Sequence, residues 1–142
     1  MNKFFVYGTL MEGLSNHHVI DRKMIDQIDL ASIENTSLYN HIYGYFPCLI
    51  EGDETTQGEL ITIKEEFLDE AIKKLDQLEG YRGKGNRNNF YNRIVKQIIL
   101  EDGTKIKAYV YMYNLKNHPI LGEKILCGSY KEYLIRRQKG ER

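Results

Sequence analysis

Net charge is the first thing this chain lacks: 20 Lys and Arg offset 20 Asp and Glu over 142 residues. No overall field draws such a protein to nucleic acid or to an anionic membrane, and neither is expected as a partner. Tryptophan is absent, and cysteine occurs only at Cys48 and Cys127. Two thiols so far apart supply neither a zinc-ligand spacing nor a disulfide framework, so reduced cysteines in a cytoplasmic protein are expected. No apolar run approaches the length of a membrane span. Met1-Asn2-Lys3 leads at once into a strand-like run, so no signal peptide is expected. Repeats, linkers and low-complexity segments are also missing. Residues 1–142 therefore read as one domain, long enough to bury a core, with a basic tail over about 136–142 expected to fray.

With 42% apolar and 28% charged residues, the composition is that of an ordinary globular protein. Tyrosine, at 11 copies, is the dominant aromatic. Its apolar ring and polar hydroxyl suit half-buried strands and pocket walls. Residues 3–7 read as a short buried strand, broken by Gly8. A short helix follows through 16–20, with Ser15 or Asn16 near its N-cap. Strands are expected over 31–39, 44–50 and 57–63. A helix over 64–79 comes next, with Thr62 and Glu65 at capping-box spacing. Glycine and asparagine dominate the loop over 80–89, which carries Arg82, Lys84 and Arg87. Two long strands, 91–100 and 105–113, flank Asp102-Gly103, a pair that favours a hairpin turn. A last helix spans about 129–138. Strands outnumber helices and hairpins dominate, which makes the fold class α+β, on a curved, mostly antiparallel sheet or small barrel.

One residue runs against this pattern. Leu68, Ile72, Leu75 and Glu79 fall at helical spacing on one face. Glu79 therefore continues the stripe that faces the core, where a carboxylate is costly unless paired or neutralised. It also sits in the last helical turn, where the helix dipole disfavours an anion. A residue placed against two stability preferences is a candidate acid or base. The alternative is a surface glutamate, turned to water by a C-terminal Gly80 or paired with Arg82 or Arg87. A second candidate is Tyr7-Gly8-Thr9-Leu10, where a strand opens into a glycine loop before a helix. Amides in such a loop can hold an anion or a carbonyl oxygen; a plain strand-to-helix turn would look the same.

Tyr7-Gly8-Thr9-Leu10, followed downstream by Leu75-Asp76-Gln77-Leu78-Glu79-Gly80-Tyr81, resembles the γ-glutamylcyclotransferase-like (AIG2-like) family. Asn16-His17, Phe46-Pro47, Gly58-Glu59-Leu60, Tyr91-Asn92-Arg93, Ala108-Tyr109-Val110-Tyr111 and Gly128-Ser129-Tyr130 follow in the family's order. The nearest likeness is to its γ-glutamylamine cyclotransferase branch. The resemblance covers about residues 3–130. It implies a small, mixed, mostly antiparallel β-barrel flanked by helices, with one small cavity. It also implies a catalytic role for Glu79 and substrate-binding roles for Tyr7, Gly8, Thr9 and Leu10. Cys48 stands where glycine is common in relatives, and Ser129-Tyr130 where many have an aspartate and an aromatic residue. These departures leave the leaving group of the substrate open.

The implied reaction explains why one glutamate suffices, with no cofactor and no metal. The α-amine of a γ-glutamyl compound attacks its own γ-carbonyl, giving 5-oxoproline and a free amine. Intramolecular attack has a large entropic advantage when the chain is held folded. One carboxyl group takes the proton of the attacking amine and returns it to the leaving amine. The expected partner is thus a small γ-glutamyl substrate, and the enzyme a cofactor-independent acyltransferase or lyase. The sequence leaves the oligomeric state open. Two other readings fit the same residues. One is a non-catalytic small-molecule-binding protein on this fold; the other is a protein-interaction module presenting its tyrosine faces and basic tail. His17 and His18 do not share a helix face, and His41 and His118 look scattered. Cys48 reads as a small core residue. The 80–89 loop is either a lid whose arginine meets a substrate carboxylate or a solvated surface loop. Tyr109, Tyr111 and Tyr113 read as half-buried packing or as cavity wall.

Overall fold

Five strands close on themselves in the computed structural model, which describes residues 1–140. They are β1 (Lys3–Val6), β2 (Ile25–Asn40), β4 (Glu54–Ile63), β5 (Tyr91–Leu100) and β6 (Lys105–Tyr113). A sixth, β3 (Pro47–Glu51), extends the far end of β2. The ring runs β2-β4-β1-β6-β5 and returns to β2 through the pairs Ala31↔Leu100 and Ser32↔Ile99. Among the described residues only strands β1 and β6 pair in parallel; the other strand pairings are antiparallel. This is the α+β, mixed and mostly antiparallel barrel expected from the sequence, flanked by helices α1 (Leu68–Glu79) and α2 (Tyr130–Gln138). Closure removes sheet edges and leaves an interior that side chains fill. Phe5, Leu60, Ile61, Ile63, Ile98 and Val110 are among those fully enclosed.

Strand β2 is longer than its sequence suggests, since residues 25–30 also pair with β4. The segment Ile25-Asp26-Gln27-Ile28-Asp29-Leu30 has no strict alternation, and Leu30 lies exposed on the outside of the barrel. Register shifts between Ile25 and Gln27, and between Ile33 and Thr36, bend β2 so that one strand serves three neighbours. Asn35 takes φ 58° at the second shift, a left-handed conformation that asparagine tolerates better than most residues.

Other boundaries also move. The helix expected over 16–20 is a single 3-10 turn, His17–Val19. Residues 65–67 form a 3-10 turn before α1 begins at Leu68. The capping box between Thr62 and Glu65 does not form, because Thr62 belongs to β4 and its hydroxyl accepts from Lys3 Nζ at 3.0 Å. Helix α2 is capped by Ser129, whose hydroxyl accepts from the Glu132 amide at 3.2 Å. It continues through Gln138, so Arg136, Arg137 and Gln138 of the expected tail are helical, with Arg137 donating to the Tyr133 hydroxyl at 2.8 Å. Glu141 and Arg142 lie outside the described residues.

Candidate active site

Helix α1 packs Ala71 and Leu75 completely into the core. Glu79 is one further turn along the same face. Gly80 then ends the helix in the left-handed conformation, φ 64°, with its amide bonded to the carbonyls of Asp76 and Gln77. A side chain at Gly80 would also crowd Phe90, whose Cβ lies 3.0 Å from the position of an added Cβ. The helix end is held against the barrel by Asp76. Its Oδ1 accepts from the Tyr111 hydroxyl at 2.6 Å and its Oδ2 accepts from Arg93 Nη1 at 2.6 Å. Asp76→Ala removes both anchors one turn before Glu79. It should lower stability by about 1–2 kcal/mol, the range for a charged hydrogen-bond pair that solvent partly screens. Urea unfolding of this variant beside wild type measures the change.

A cavity of about 430 Å³ opens beside this helix end, within the size range of small-molecule sites. Glu79, Tyr7, Gly8, Thr9 and Leu10, which come from two distant segments of sequence, all line it. Glu79 makes no hydrogen bond or ion pair with any described residue, neither Arg82 nor Arg87 included. Its side chain keeps intermediate exposure, since it meets the cavity rather than packed core. Burial nonetheless raises its pKa from 4.5 to about 7.

The Tyr7–Leu10 loop is held on several sides. Tyr7 donates its hydroxyl to the Tyr111 carbonyl. Burial, and then the nearby charge of Glu79, keep that phenol protonated. Asn16 donates to the Thr9 hydroxyl at 2.9 Å, and His17 Nδ1 meets the Leu10 carbonyl at 2.9 Å. Glu59, buried in β4, accepts from the Glu12 amide at 2.7 Å and from Lys131 on α2 at 2.9 Å. The N–H groups of Gly8, Thr9 and Leu10 have no acceptor among the described residues. Gly8 is glycine for a steric reason: an added Cβ would stand 2.7 Å from Pro47 Cγ.

Several wall residues escape sequence reasoning. Phe46, Pro47, Phe90 and Tyr91 line the cavity from β3, β5 and their approaches. Tyr91 donates its hydroxyl to the Pro47 carbonyl at 2.7 Å. Of the β6 tyrosines, Tyr111 lines the cavity and Tyr109 and Tyr113 do not. His41 and His118, apparently scattered, meet around Phe90 with ring centroids 5.8 and 4.6 Å from it. Cys48 is fully buried and burial pushes its thiol up to about 12, which keeps it protonated. The 80–89 loop is tied down by Asn89, which accepts from the Arg82 amide at 2.6 Å and donates to the Gly83 carbonyl at 2.9 Å. Among the described residues no arginine lines the cavity. Among the described residues no group of three or more His, Cys, Asp or Glu is placed to hold a metal, and no helix is long and apolar enough to cross a membrane.

Residues 4–132 match the family described as Gamma-glutamyl cyclotransferase, AIG2-like. The chain belongs to that family. Among its relatives is a γ-L-glutamyl-butirosin B γ-glutamyl cyclotransferase of Niallia circulans, 35% identical over 80% of this chain and 68% of the relative. Another is a putative γ-glutamylcyclotransferase of Methanocaldococcus jannaschii, 31% identical over 94% of this chain and 98% of the relative. An uncharacterised protein of Pyrococcus horikoshii superposes over 100% of both chains with a TM-score of 0.66 at 19% identity, a likeness of fold. Family membership and these relatives support a γ-glutamyl cyclotransferase acting on a small γ-glutamyl compound.

Proposed function

We propose that this protein cleaves a γ-glutamyl amine or amide by cyclisation, releasing 5-oxoproline and a free amine in the cytoplasm. The observation that carries this reading is the unpartnered Glu79 carboxyl, which lines the same cavity as Gly8, Thr9 and Leu10, three residues whose backbone amides are unpaired among the described residues. The amides of Gly8, Thr9 and Leu10 hold the substrate's α-carboxylate or the oxyanion that develops at the γ-carbonyl. Glu79, as carboxylate, takes a proton from the α-ammonium. The freed amine attacks the γ-carbonyl and closes a five-membered ring. The tetrahedral centre then collapses and the original C–N bond breaks: Glu79 returns its proton to the leaving nitrogen, and the second proton of the attacking nitrogen passes through the regenerated carboxylate to the freed amine, which departs as an ammonium. A pKa near 7 suits both steps, because neither form of the carboxyl is far out of reach at neutral pH.

Incubation with a panel of γ-glutamyl amides, with assay of 5-oxoproline, tests this reading. Ligand-dependent stabilisation without any product would favour a binding protein instead.

A pH dependence follows. Only ionised Glu79 can begin the cycle, so kcat/KM should fall about tenfold for each pH unit below about 7. Initial rates between pH 5 and 9 measure it, and a limb that breaks near pH 4.5 would remove the elevated carboxyl from the mechanism.

A further inference from the structure

Resting on the cyclisation reading, we infer that the leaving amine carries no anionic group and is an apolar alkyl or arylalkyl amine. Among the described residues the cavity wall holds no lysine, arginine or histidine, and Glu79 is its one carboxylate. Most of its polar donors are already engaged within the protein. Tyr7, Tyr91 and Tyr111 donate to the Tyr111 carbonyl, the Pro47 carbonyl and Asp76, while Asn16 donates to Thr9. Among the described lining residues, the groups left to hold an anion are neutral donors: the amides of Gly8, Thr9 and Leu10, the Thr9 hydroxyl, and the Gln77 side chain, which is exposed to solvent. The γ-glutamyl portion of every substrate brings its own α-carboxylate, and that group takes those amides. A second carboxylate, on the leaving side, would lose water without gaining a cation, and would do so near Glu79.

The remaining wall suits an apolar group. Phe46 and Phe90 are half-buried, with ring centroids 5.7 Å apart in an edge-to-face arrangement. Tyr43 and Tyr45, on the loop that delivers Phe46, lie largely exposed. An alkyl or aryl group on the leaving amine would cover part of Phe46 and Phe90 as it binds. The cations nearest in sequence do not serve the site. Lys84 and Arg87 line a separate hollow with Arg93 and Lys116.

The matched pair γ-glutamylphenethylamide and γ-glutamylphenylalanine differs by one carboxylate on the leaving amine. Wild-type protein should release 5-oxoproline from the amide with kcat/KM about tenfold higher, or more, than from the amino acid conjugate, the size of discrimination an unpaired buried group produces. Leu78 lines the cavity and is partly exposed on α1, so Leu78→Arg offers the missing cation and should narrow the gap. Phe90→Ala should weaken turnover of the phenethylamide more than that of γ-glutamylmethylamide. Calorimetric binding of the pair to Glu79→Gln gives the same ranking without turnover. Equal or reversed preference in wild type overturns this inference alone. No 5-oxoproline from either compound, while other γ-glutamyl amides of the panel give it, also overturns this inference alone; no product from any of the panel overturns the cyclisation reading, and this inference with it.

Discussion

Glu79→Gln loses 5-oxoproline formation by about a hundred- to ten-thousand-fold, the usual contribution of a positioned general acid–base group, while the fold becomes more stable at alkaline pH. The glutamine keeps the shape and the hydrogen-bonding oxygen but cannot exchange the proton. The stability change follows from the raised pKa. Wild-type Glu79 is protonated at little cost below 4.5, where the folded and unfolded chains bind the same proton. As pH rises from 4.5 through about 7, the unfolded chain releases the proton first and the folded chain is penalised. At roughly 1.4 kcal/mol for each pH unit, the full penalty above pH 7 is about 3 kcal/mol. Glu79→Gln removes it, so the variant should match wild type near pH 4 and exceed it at pH 8. Urea unfolding at both pH values, beside the product assay, reads both halves. A surface glutamate would show neither effect, and activity undiminished by the substitution would dismiss Glu79 as the proton carrier.

Gly58→Ala is the other large effect, this time on the barrel. An added Cβ at Gly58 would fall 2.4 Å from the Val6 carbonyl oxygen and 2.6 Å from Phe5 Cζ. Gly58 lies in β4 opposite Ala31 of β2, so the strand cannot retreat without breaking that pairing. The Phe5 ring is fully enclosed and has nowhere to move. Overpacking of a filled core costs about 1–3 kcal/mol, and contact with backbone belongs at the upper end. Val6 leads directly into the Tyr7–Leu10 loop, so activity should fall together with stability. Gly103, in an open turn with φ 87° and nothing within 4 Å of an added Cβ, is a useful comparison. Gly103→Ala strains only its own backbone and should leave turnover unchanged. A Gly58→Ala protein with an unaltered urea midpoint would mean that the strands can separate where they look locked.

The elements that sequence reading finds are those with local period or local turn chemistry. Leu68, Ile72 and Leu75 give helix α1 its face, and Gly80 ends it in the left-handed conformation expected. Strands β5 and β6 are found to the residue, because the Asp102-Gly103 turn fixes the ends they share and β6 alternates Ile106, Ala108, Val110 and Met112 with Lys107, Tyr109, Tyr111 and Tyr113. Residues 25–30 fail because an exposed, acid-rich stretch of β2 is held by backbone pairing to β4, which leaves no side-chain period to read. The capping box fails for a related reason: the neighbouring strand claims Thr62 before the helix can.

By itself the sequence determines that an acid sits on the buried face of α1 and that a glycine loop follows the first strand. Both are local facts, set by spacings of three, four or one residue along the chain. Only the tertiary structure decides that these two features share a cavity. Their meeting depends on a ring that closes through Ala31↔Leu100 and on the parallel pairing of β1 with β6, contacts between residues far apart in the chain. The lack of a cation in the described cavity wall is decided there as well. Arg82, Lys84 and Arg87 follow Glu79 closely in sequence, yet Asn89 ties their loop back and none of them lines the cavity. Proximity along the chain gives a charge no access to a cavity; the closed barrel and its hydrogen bonds determine which groups an ion would meet.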